Sequence, residues 1–247
     1  MRADLQARHV EIEGHGGESI QAYEAMPLDG ERVGGVVVIH HMPGFDRWSK
    51  EITRTFAAAG YLAVCPNLYW REAPDAAADD AAATVRASGG VPDERLVGDV
   101  AGAAAYLRSN AASNGKVGVI GHCSGGRQSF LAACSLELDA AVDCYGAFVS
   151  VDPPEGSGMK MRGLLDFAPK LSCPLLGLFG GDDQYPSPEQ NELLEAALTA
   201  AGKDFAFHTY EGAGHAFFCT DRPSFRPEAA ASGWGEIWGF FGQHLSN

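Results

Sequence analysis

The sequence predicts an α/β protein with a mostly parallel central sheet and helices on both faces. Short apolar runs of strand length alternate along its 247 residues with segments of helical length. Continuous apolar runs are typical of strands buried on both faces, and strands that alternate with helices form parallel sheets. Neither an internal repeat nor a linker interrupts this alternation, so we expect a single domain over residues 1–247.

The first two strands are predicted to form a hairpin, because polarity alternates by twos on both sides of the glycine-rich segment 14–17. The later strands are predicted from continuous apolar runs. In order, the predicted strands are His9–Glu13, Ser19–Met26, Val33–His40, Tyr61–Cys65, Lys116–Ile120, Asp139–Tyr145, Pro174–Phe179 and Asp204–Tyr210. The dipeptides Asp29-Gly30 and Asn114-Gly115 have the chemistry of turns.

Capping residues bound several of the predicted helices. Gly60 ends the first helix, Pro92 precedes another, and Ser187-Pro188 combines an N-cap with a proline at the first helical position. The predicted helices are Trp48–Ala59, Asp93–Ser109, Ser124–Ser135, Pro188–Ala201 and Pro227–Leu245. Residues 66–90 differ from the rest, being aromatic at first and then rich in alanine and aspartate, so we expect a lid-like excursion over a site.

The overall charge excludes some classes of partner. The chain carries 18 basic and 32 acidic residues, for a net charge of −14, which repels phosphate backbones and anionic membranes. No apolar run approaches the roughly 20 residues of a membrane span, and the N-terminal residues form no apolar leader. We therefore expect a cytoplasmic protein with a small-molecule substrate, which binds neither nucleic acid nor membranes and is a monomer or a homodimer.

The six cysteines do not form a metal-binding or disulfide pattern. They are widely scattered, without C-x-x-C or zinc-ligand spacing, so no metal is predicted. Cys65 and Cys144 lie in apolar runs, where a buried free thiol is expected. Cys123 is different, because it lies in the segment Gly121-His122-Cys123-Ser124-Gly125-Gly126 between a predicted strand and a predicted helix.

This segment has the G-x-nucleophile-x-G pattern of a tight turn that exposes a nucleophile. The start of a helix at Ser124 directs backbone N–H groups and a positive dipole end at the thiol, which favours the thiolate. Two other predicted strand ends carry reactive side chains, first the pair Asp182 and Asp183 and then His215. Because ligands of such sheets bind outside the carboxyl ends of the strands, these groups predict a cysteine nucleophile with a histidine base and an orienting carboxylate. Either aspartate satisfies this pattern.

The chain resembles the dienelactone hydrolase (carboxymethylenebutenolidase) family of the α/β-hydrolase superfamily. Five stretches in the same order carry the resemblance: Cys65-Pro66-Asn67-Leu68-Tyr69, Ser113-Asn114-Gly115-Lys116-Val117-Gly118, Gly121-His122-Cys123-Ser124-Gly125-Gly126, Gly181-Asp182-Asp183 and Gly212-Ala213-Gly214-His215-Ala216-Phe217. The resemblance implies the α/β-hydrolase fold and hydrolysis of small esters or lactones through a thioester, without a cofactor.

The resemblance also implies the roles of individual residues. Cys123 would be the nucleophile, Asp183 the acid and His215 the base, while the backbone N–H groups of Ser124 and Met42 would form the oxyanion hole. Members that act on dienelactones have a glutamate near the nucleophile, and His41 occupies that position here. We expect His41 to line the pocket and to leave the thiol more readily ionised, since a carboxylate beside it would raise the thiol pKa.

A second departure concerns the arginines with which those members hold the substrate carboxylate. One of them follows the catalytic histidine by four positions, and that position is Cys219 here. Arg222 is a candidate substitute, and the spacing of Arg86 from Cys65 matches the other arginine. Trp70 is a further candidate for lining the substrate pocket.

One alternative function remains open at this stage. A protein of the same fold can bind without hydrolysis or sense oxidants through a reactive thiol. In that case Cys219 would be the candidate resolving cysteine for Cys123, whereas a hydrolase requires His215 and its carboxylate.

Overall fold

A computed structural model describes residues 4–28 and 31–246, and within these ranges eight strands form one sheet. Asp29 and Gly30, expected to form a turn, lie outside the described residues. The strand order is β1-β2-β4-β3-β5-β6-β7-β8. The strands are β1 (Leu5–Glu13), β2 (Ser19–Pro27), β3 (Val33–Ile39), β4 (Leu62–Pro66), β5 (Ser113–His122), β6 (Ala140–Cys144), β7 (Leu175–Gly180) and β8 (Phe205–Tyr210).

The predicted mostly parallel sheet is confirmed. Strands β3 to β8 pair in parallel, whereas β1 and β2 form the predicted antiparallel hairpin and β2 pairs antiparallel with β4. The α-helices between residues 4 and 246, outside the gap at 29–30, are α1 (Arg47–Ala59), α2 (Ala78–Ser88), α3 (Asp93–Ser109), α4 (Ser124–Ala133), α5 (Pro188–Ala200) and α6 (Pro227–Leu245). Two expected caps are present, a capping box at Ser187 and a left-handed Gly60 at the end of α1.

Helices cover both faces of the sheet, as expected. Successive residues of β3 point to opposite faces, so that Val36 and Val38 join one buried cluster while Val37 and Ile39 join the other. One cluster includes apolar residues of α1 and α6, and the other includes those of α2, α3, α4 and α5. The sheet is therefore buried on both sides, which explains the continuous apolar runs of its central strands.

One turn prediction was wrong. Asn114 and Gly115 belong to β5, which begins earlier than predicted, at Ser113. Gly115 has a φ of 93°, and the pairing register with β3 shifts between Val33 and Gly35. The dipeptide keeps its turn chemistry, because the side chain of Asn114 accepts the N–H of Lys116, but it forms an irregularity inside the strand.

The segment 66–90 contains turns followed by α2, whose residues Ala81, Ala82 and Val85 are buried against the sheet. Its motion as a lid stays a prediction. None of the helices that the structure describes has both the length and the apolar composition of a membrane span.

Candidate active site

Cys123 lies on a sharp turn between β5 and α4. Its backbone has φ 58° and ψ −124°, a combination that non-glycine residues rarely adopt. The Cys123 N–H donates to the carbonyl oxygen of Cys144 on β6, and its own carbonyl oxygen accepts the N–H of Gly126. These bonds hold the residue in its strained conformation at the carboxyl end of the sheet.

Two glycines make this turn sterically possible. A Cβ atom at Gly121 would lie 2.0 Å from the carbonyl oxygen of Gly125, and one at Gly125 would lie 2.4 Å from the carbonyl oxygen of Ile39. Both distances are far below a van der Waals contact, so no larger residue fits without displacing the backbone. The glycine pattern around Cys123 therefore reflects close approach of chain segments.

His215 and Asp183 meet at the ends of β8 and β7. The Nδ1 atom of His215 donates to Oδ2 of Asp183 over 2.8 Å, and Oδ1 of Asp183 accepts the N–H of Tyr185 over 3.0 Å. The Asp183 side chain is 3% exposed. Asp182, the alternative from the sequence, lines a cavity near Cys123 but forms no hydrogen bond to His215. Asp183 is therefore the carboxylate that orients the imidazole, leaving its Nε2 for Cys123.

The Cys123 thiol and the His215 imidazole shift each other's ionisation. Burial raises the pKa of the Cys123 thiol, but the hydrogen bond and positive charge of His215 outweigh it, so that the pKa lies below its ordinary value. Burial likewise lowers the pKa of His215, but its bonds to Asp183 and Cys123 raise it overall, to about 10. Both shifts favour the pair of a thiolate and an imidazolium over the neutral thiol and imidazole.

Two backbone N–H groups also converge on Cys123. Ser124, the first residue of α4, and Met42, in the loop after β3, both donate to its sulfur and contribute to the lowered pKa. Converging donors of this kind are suited to an oxyanion. Both are the residues that the family resemblance implied for that role.

The Met42 loop is held by side chains that the sequence analysis did not identify. Buried His40 donates from Nδ1 to the carbonyl oxygen of His41, and its Nε2 accepts the N–H of Leu68 over 3.2 Å. The Tyr69 hydroxyl donates to the carbonyl oxygen of Met42 over 3.0 Å. Burial lowers the pKa of His40 to about 4, so it stays neutral and keeps this tautomer. The only sequence signal was that Leu68 and Tyr69 belong to one of the five shared stretches.

Asp143 on β6 is another buried polar residue next to the turn that contains Cys123. Its Oδ1 accepts the N–H of Gly146 over 2.7 Å, and its Oδ2 has no partner among the described residues. Burial raises the pKa of Asp143 to about 7. Oδ1 also lies 2.2 Å from the position that a Cβ atom at Gly126 would occupy, so the carboxyl packs directly against the first turn of α4.

Cys123, His215 and Met42 lie between two cavities of different character. The larger, about 510 Å³, has a mainly apolar surface and is also lined by Ala147, Phe148, Asp182, Asp183, Gln184 and Tyr185. The smaller, about 190 Å³, has a more polar lining. Besides the three shared residues it contains His41, Pro43, Arg86, Tyr145, Ala216, Cys219 and Arg222.

Three of the four predicted substrate-binding residues, His41, Arg86 and Arg222, therefore line one cavity with Cys123. Successive turns bring Arg222 there, because the N–H of Cys219 donates to the carbonyl oxygen of Ala216 and that of Arg222 donates to the carbonyl oxygen of Cys219. Such three-residue steps place positions 216, 219 and 222 on one side of the segment.

The structure does not bring Trp70 to this site. Its ring packs against the cluster on the face of α3, and it lines neither cavity at Cys123. The neighbouring Tyr69 is the aromatic residue that contacts the Met42 loop. The adjacent side chains of Tyr69 and Trp70, in the segment after β4, therefore point in different directions. The sequence alone does not specify these directions.

Comparisons with known proteins agree with this geometry. Residues 20–245 match the model of the dienelactone hydrolase family. The chain is 32% identical to the carboxymethylenebutenolidase of Pseudomonas putida over 229 residues, which cover 87% of this chain and 91% of that protein. It is 33% identical to a proposed carboxymethylenebutenolidase of Methylorubrum extorquens over 228 residues, 91% of this chain and 77% of the relative.

A solved structure shows the same fold. The crystal structure of a proposed dienelactone hydrolase from Klebsiella pneumoniae superimposes with a TM-score of 0.85 at 28% identity, covering 98% of this chain and all of the other. The extent of these matches confirms the α/β-hydrolase fold and the family predicted from the five sequence stretches. The chain belongs to the dienelactone hydrolase family of the α/β-hydrolase superfamily and is a hydrolase of carboxylic esters or lactones.

Proposed function

We propose that this chain hydrolyses small esters or lactones through a covalent thioester on Cys123, with His215 and Asp183 completing a catalytic triad. The observation that carries the proposal is the bond between His215 and Asp183 next to a cysteine on a strained turn. A cysteine nucleophile needs a lowered pKa or a positioned base, and His215 supplies both. No metal or cofactor takes part in this mechanism.

Acylation begins with attack of the Cys123 thiolate on the substrate carbonyl carbon. The carbonyl oxygen becomes an oxyanion, which the N–H groups of Ser124 and Met42 stabilise. Because these donors are already oriented, they need no reorganisation as charge develops, and loss of one such donor costs about 3 kcal/mol in the transition state. Collapse of the tetrahedral intermediate releases the alcohol half and leaves the thioester.

Deacylation requires an activated water molecule. Once the Cys123 sulfur is acylated, His215 no longer faces a negative charge, so its pKa falls, it releases its proton to solvent, and it can then act as a base. Its Nε2 takes a proton from water, which attacks the thioester carbonyl. Asp183 stabilises the resulting imidazolium through Nδ1, and departure of the acid restores the thiolate.

The two cavities suggest the class of substrate. Phe148 and Tyr185 favour an apolar group on one side of the reacting carbonyl, whereas Arg86 and Arg222, with His41, favour a polar or anionic group on the other. A compact ester or lactone with a carboxylate fits this division, in keeping with the carboxymethylenebutenolidase name of the Pseudomonas putida relative. Cys219 stands where the family has an arginine, so Arg222 would supply the second positive charge.

The test is intact-protein mass spectrometry after mixing with a p-nitrophenyl ester. We expect one acyl group on wild type, located on Cys123 by peptide mapping, and a loss of hydrolysis of about 10⁴-fold in Cys123→Ala. Cys219→Ser is the matched control and should still acylate, because Cys219 is not the proposed nucleophile. Hydrolysis by Cys123→Ala at the wild-type rate would overturn the proposal. Peroxide treatment without ester tests the redox alternative, which predicts a Cys123–Cys219 disulfide.

A further inference from the structure

A second histidine bonded to a carboxylate lies at the cavity of Cys123. The Nε2 atom of His41 donates to Oδ2 of Asp46 over 2.7 Å, and the His41 side chain is 7% exposed. His41 lines the smaller cavity together with Cys123 and His215. The site therefore contains two imidazoles that are each oriented by an aspartate.

The His41–Asp46 pair is held firmly in place. Oδ1 of Asp46 accepts the N–H of Ser49 over 2.8 Å, which makes Asp46 the N-cap of α1. The ring of His41 packs against Trp48, with 4.9 Å between ring centroids, and its carbonyl oxygen accepts the N–H of Gly44. Burial raises the pKa of Asp46, but the bonds from His41 and Ser49 outweigh it and keep the carboxyl ionised.

The second ring nitrogen of His41 is available for a further hydrogen bond. Among the described residues none forms a hydrogen bond with His41 Nδ1, and this atom is not fully enclosed by protein. Asp183 occupies Nδ1 of His215 and leaves Nε2, whereas Asp46 occupies Nε2 of His41 and leaves Nδ1. His215 Nε2 faces Cys123, whereas His41 Nδ1 has no partner among the described residues, and both histidines line the same cavity.

The leaving oxygen must take up a proton, and besides the imidazolium of His215 the cavity contains a second imidazole oriented by an aspartate, that of His41. Negative charge develops on that oxygen as its bond to the carbonyl carbon breaks. Arg86 and Arg222 make the smaller cavity favourable for this charge, while the apolar lining of the larger cavity suits the acyl half. The leaving oxygen then lies on the side of Cys123 where His41 is found.

The geometry points to His41, oriented by Asp46, as the acid that protonates the leaving oxygen during acylation. This inference rests on the proposed thioester mechanism. The bond between Cys123 Sγ and the carbonyl carbon forms, the bond from that carbon to the leaving oxygen breaks, and the proton moves from His41 Nδ1 to that oxygen. Nε2–H stays bonded to Asp46 throughout, so His41 becomes a neutral imidazole of fixed tautomer.

The protons balance over a full turnover. His41 takes one proton back from solvent, and His215 releases one to solvent when Cys123 is acylated. His215 then gains the proton of the attacking water, and the thiolate is restored beside the imidazolium. The net reaction is ester plus water to acid plus alcohol.

A leaving-group series tests this assignment. Alkyl esters require protonation of the departing alkoxide, whereas p-nitrophenolate departs without it. We expect His41→Gln to lower kcat/KM about 100-fold for an alkyl ester and less than about threefold for the p-nitrophenyl ester of the same acid. The amide of Gln can still donate to Asp46, so the loop should keep its position. Asp46→Asn keeps an N-cap acceptor and should lower the alkyl-ester rate about tenfold.

The matched control is His208→Gln, because His208 lies near Glu236 on the surface, away from the cavities at Cys123. It should hydrolyse both esters at the wild-type rate. Equal losses of His41→Gln on both esters, or no loss on either, would overturn the assignment. Should His41→Gln not fold, the same comparison in Asp46→Asn decides. Failure of the thioester mechanism itself would appear separately, as absence of the acyl group on Cys123 in wild type.

Discussion

The hydroxyl of Tyr69 donates a 3.0 Å hydrogen bond to the carbonyl oxygen of Met42, the residue whose N–H points at the Cys123 sulfur. The segment after β4 thus holds Met42 through its carbonyl oxygen, while the N–H of Met42 is directed at the Cys123 sulfur. Because an oxyanion donor is effective only when already oriented, the segment after β4 would contribute to the proposed reaction by holding Met42 in place.

Tyr69→Phe should therefore lower kcat about tenfold with little change in KM. This decrease is smaller than the decrease expected when an oxyanion donor is removed completely. The ring still packs against His40, and the lost bond should reduce the free energy of unfolding by about 1 kcal/mol. Steady-state kinetics and urea unfolding measure the two effects. A rise in KM at constant kcat would contradict a role in orienting Met42.

The Cys123 thiol should react with iodoacetamide at neutral pH. Its lowered pKa keeps the thiolate present until pH falls through that value, and the imidazolium beside it persists up to the His215 pKa of about 10. Rates at Cys123 from pH 5 to 10, followed by peptide mass spectrometry, should give an apparent pKa below the free-thiol value of about 8.5. His215→Gln should raise it, since burial is then opposed only by the N–H groups of Ser124 and Met42.

Cys144 provides an internal control in that experiment. It is buried, and burial raises its pKa well above the ordinary value, so it should stay unmodified over the same range. An apparent pKa of Cys123 at or above about 8.5 would refute the thiolate assignment.

Arg86 and Arg222 should determine the preference for anionic substrates. Arg222→Gln and Arg86→Gln should each raise KM about fivefold for an ester that carries a carboxylate, because both arginines are exposed and their charge is partly screened by solvent. KM for a neutral ester of the same size should not change, and high salt should reduce the difference. Arg108→Gln, a surface change of equal charge, is the control. Equal effects on both esters would show that charge recognition is not the cause.

Asp143 should make stability depend on pH. Its folded pKa of about 7 exceeds the unfolded value of about 3.9, so the folded state holds a proton that the unfolded state has lost. The free energy of unfolding of wild type, relative to Asp143→Asn, should therefore decrease by about 1 kcal/mol per pH unit from pH 4 to 7. Urea unfolding of both proteins at pH 5, 6 and 7 measures this difference. A constant difference would mean that Asp143 titrates normally.

Local patterns were sufficient to predict most of the fold. Apolar runs and caps identified the strands and most helices, and the glycines around Cys123 indicated a tight turn, since these signals depend on neighbours in the chain. Asn114-Gly115 was misassigned because its turn chemistry is the same at a chain reversal and at an irregularity within a strand. Helix α2 was not delimited, because alanine-rich sequence marks helical tendency without fixing its ends.

The sequence by itself determined which reactive groups end which strands, because the order of strands and the position of each side chain along them are properties of the chain. Only the tertiary structure decided which of these groups meet. Asp183 rather than Asp182 contacts His215, Arg222 lines the cavity, Trp70 packs elsewhere, and Asp46 bonds to His41. Each of these choices depends on the direction of a side chain in an irregular segment, which is fixed by backbone dihedrals and packing against segments distant in sequence.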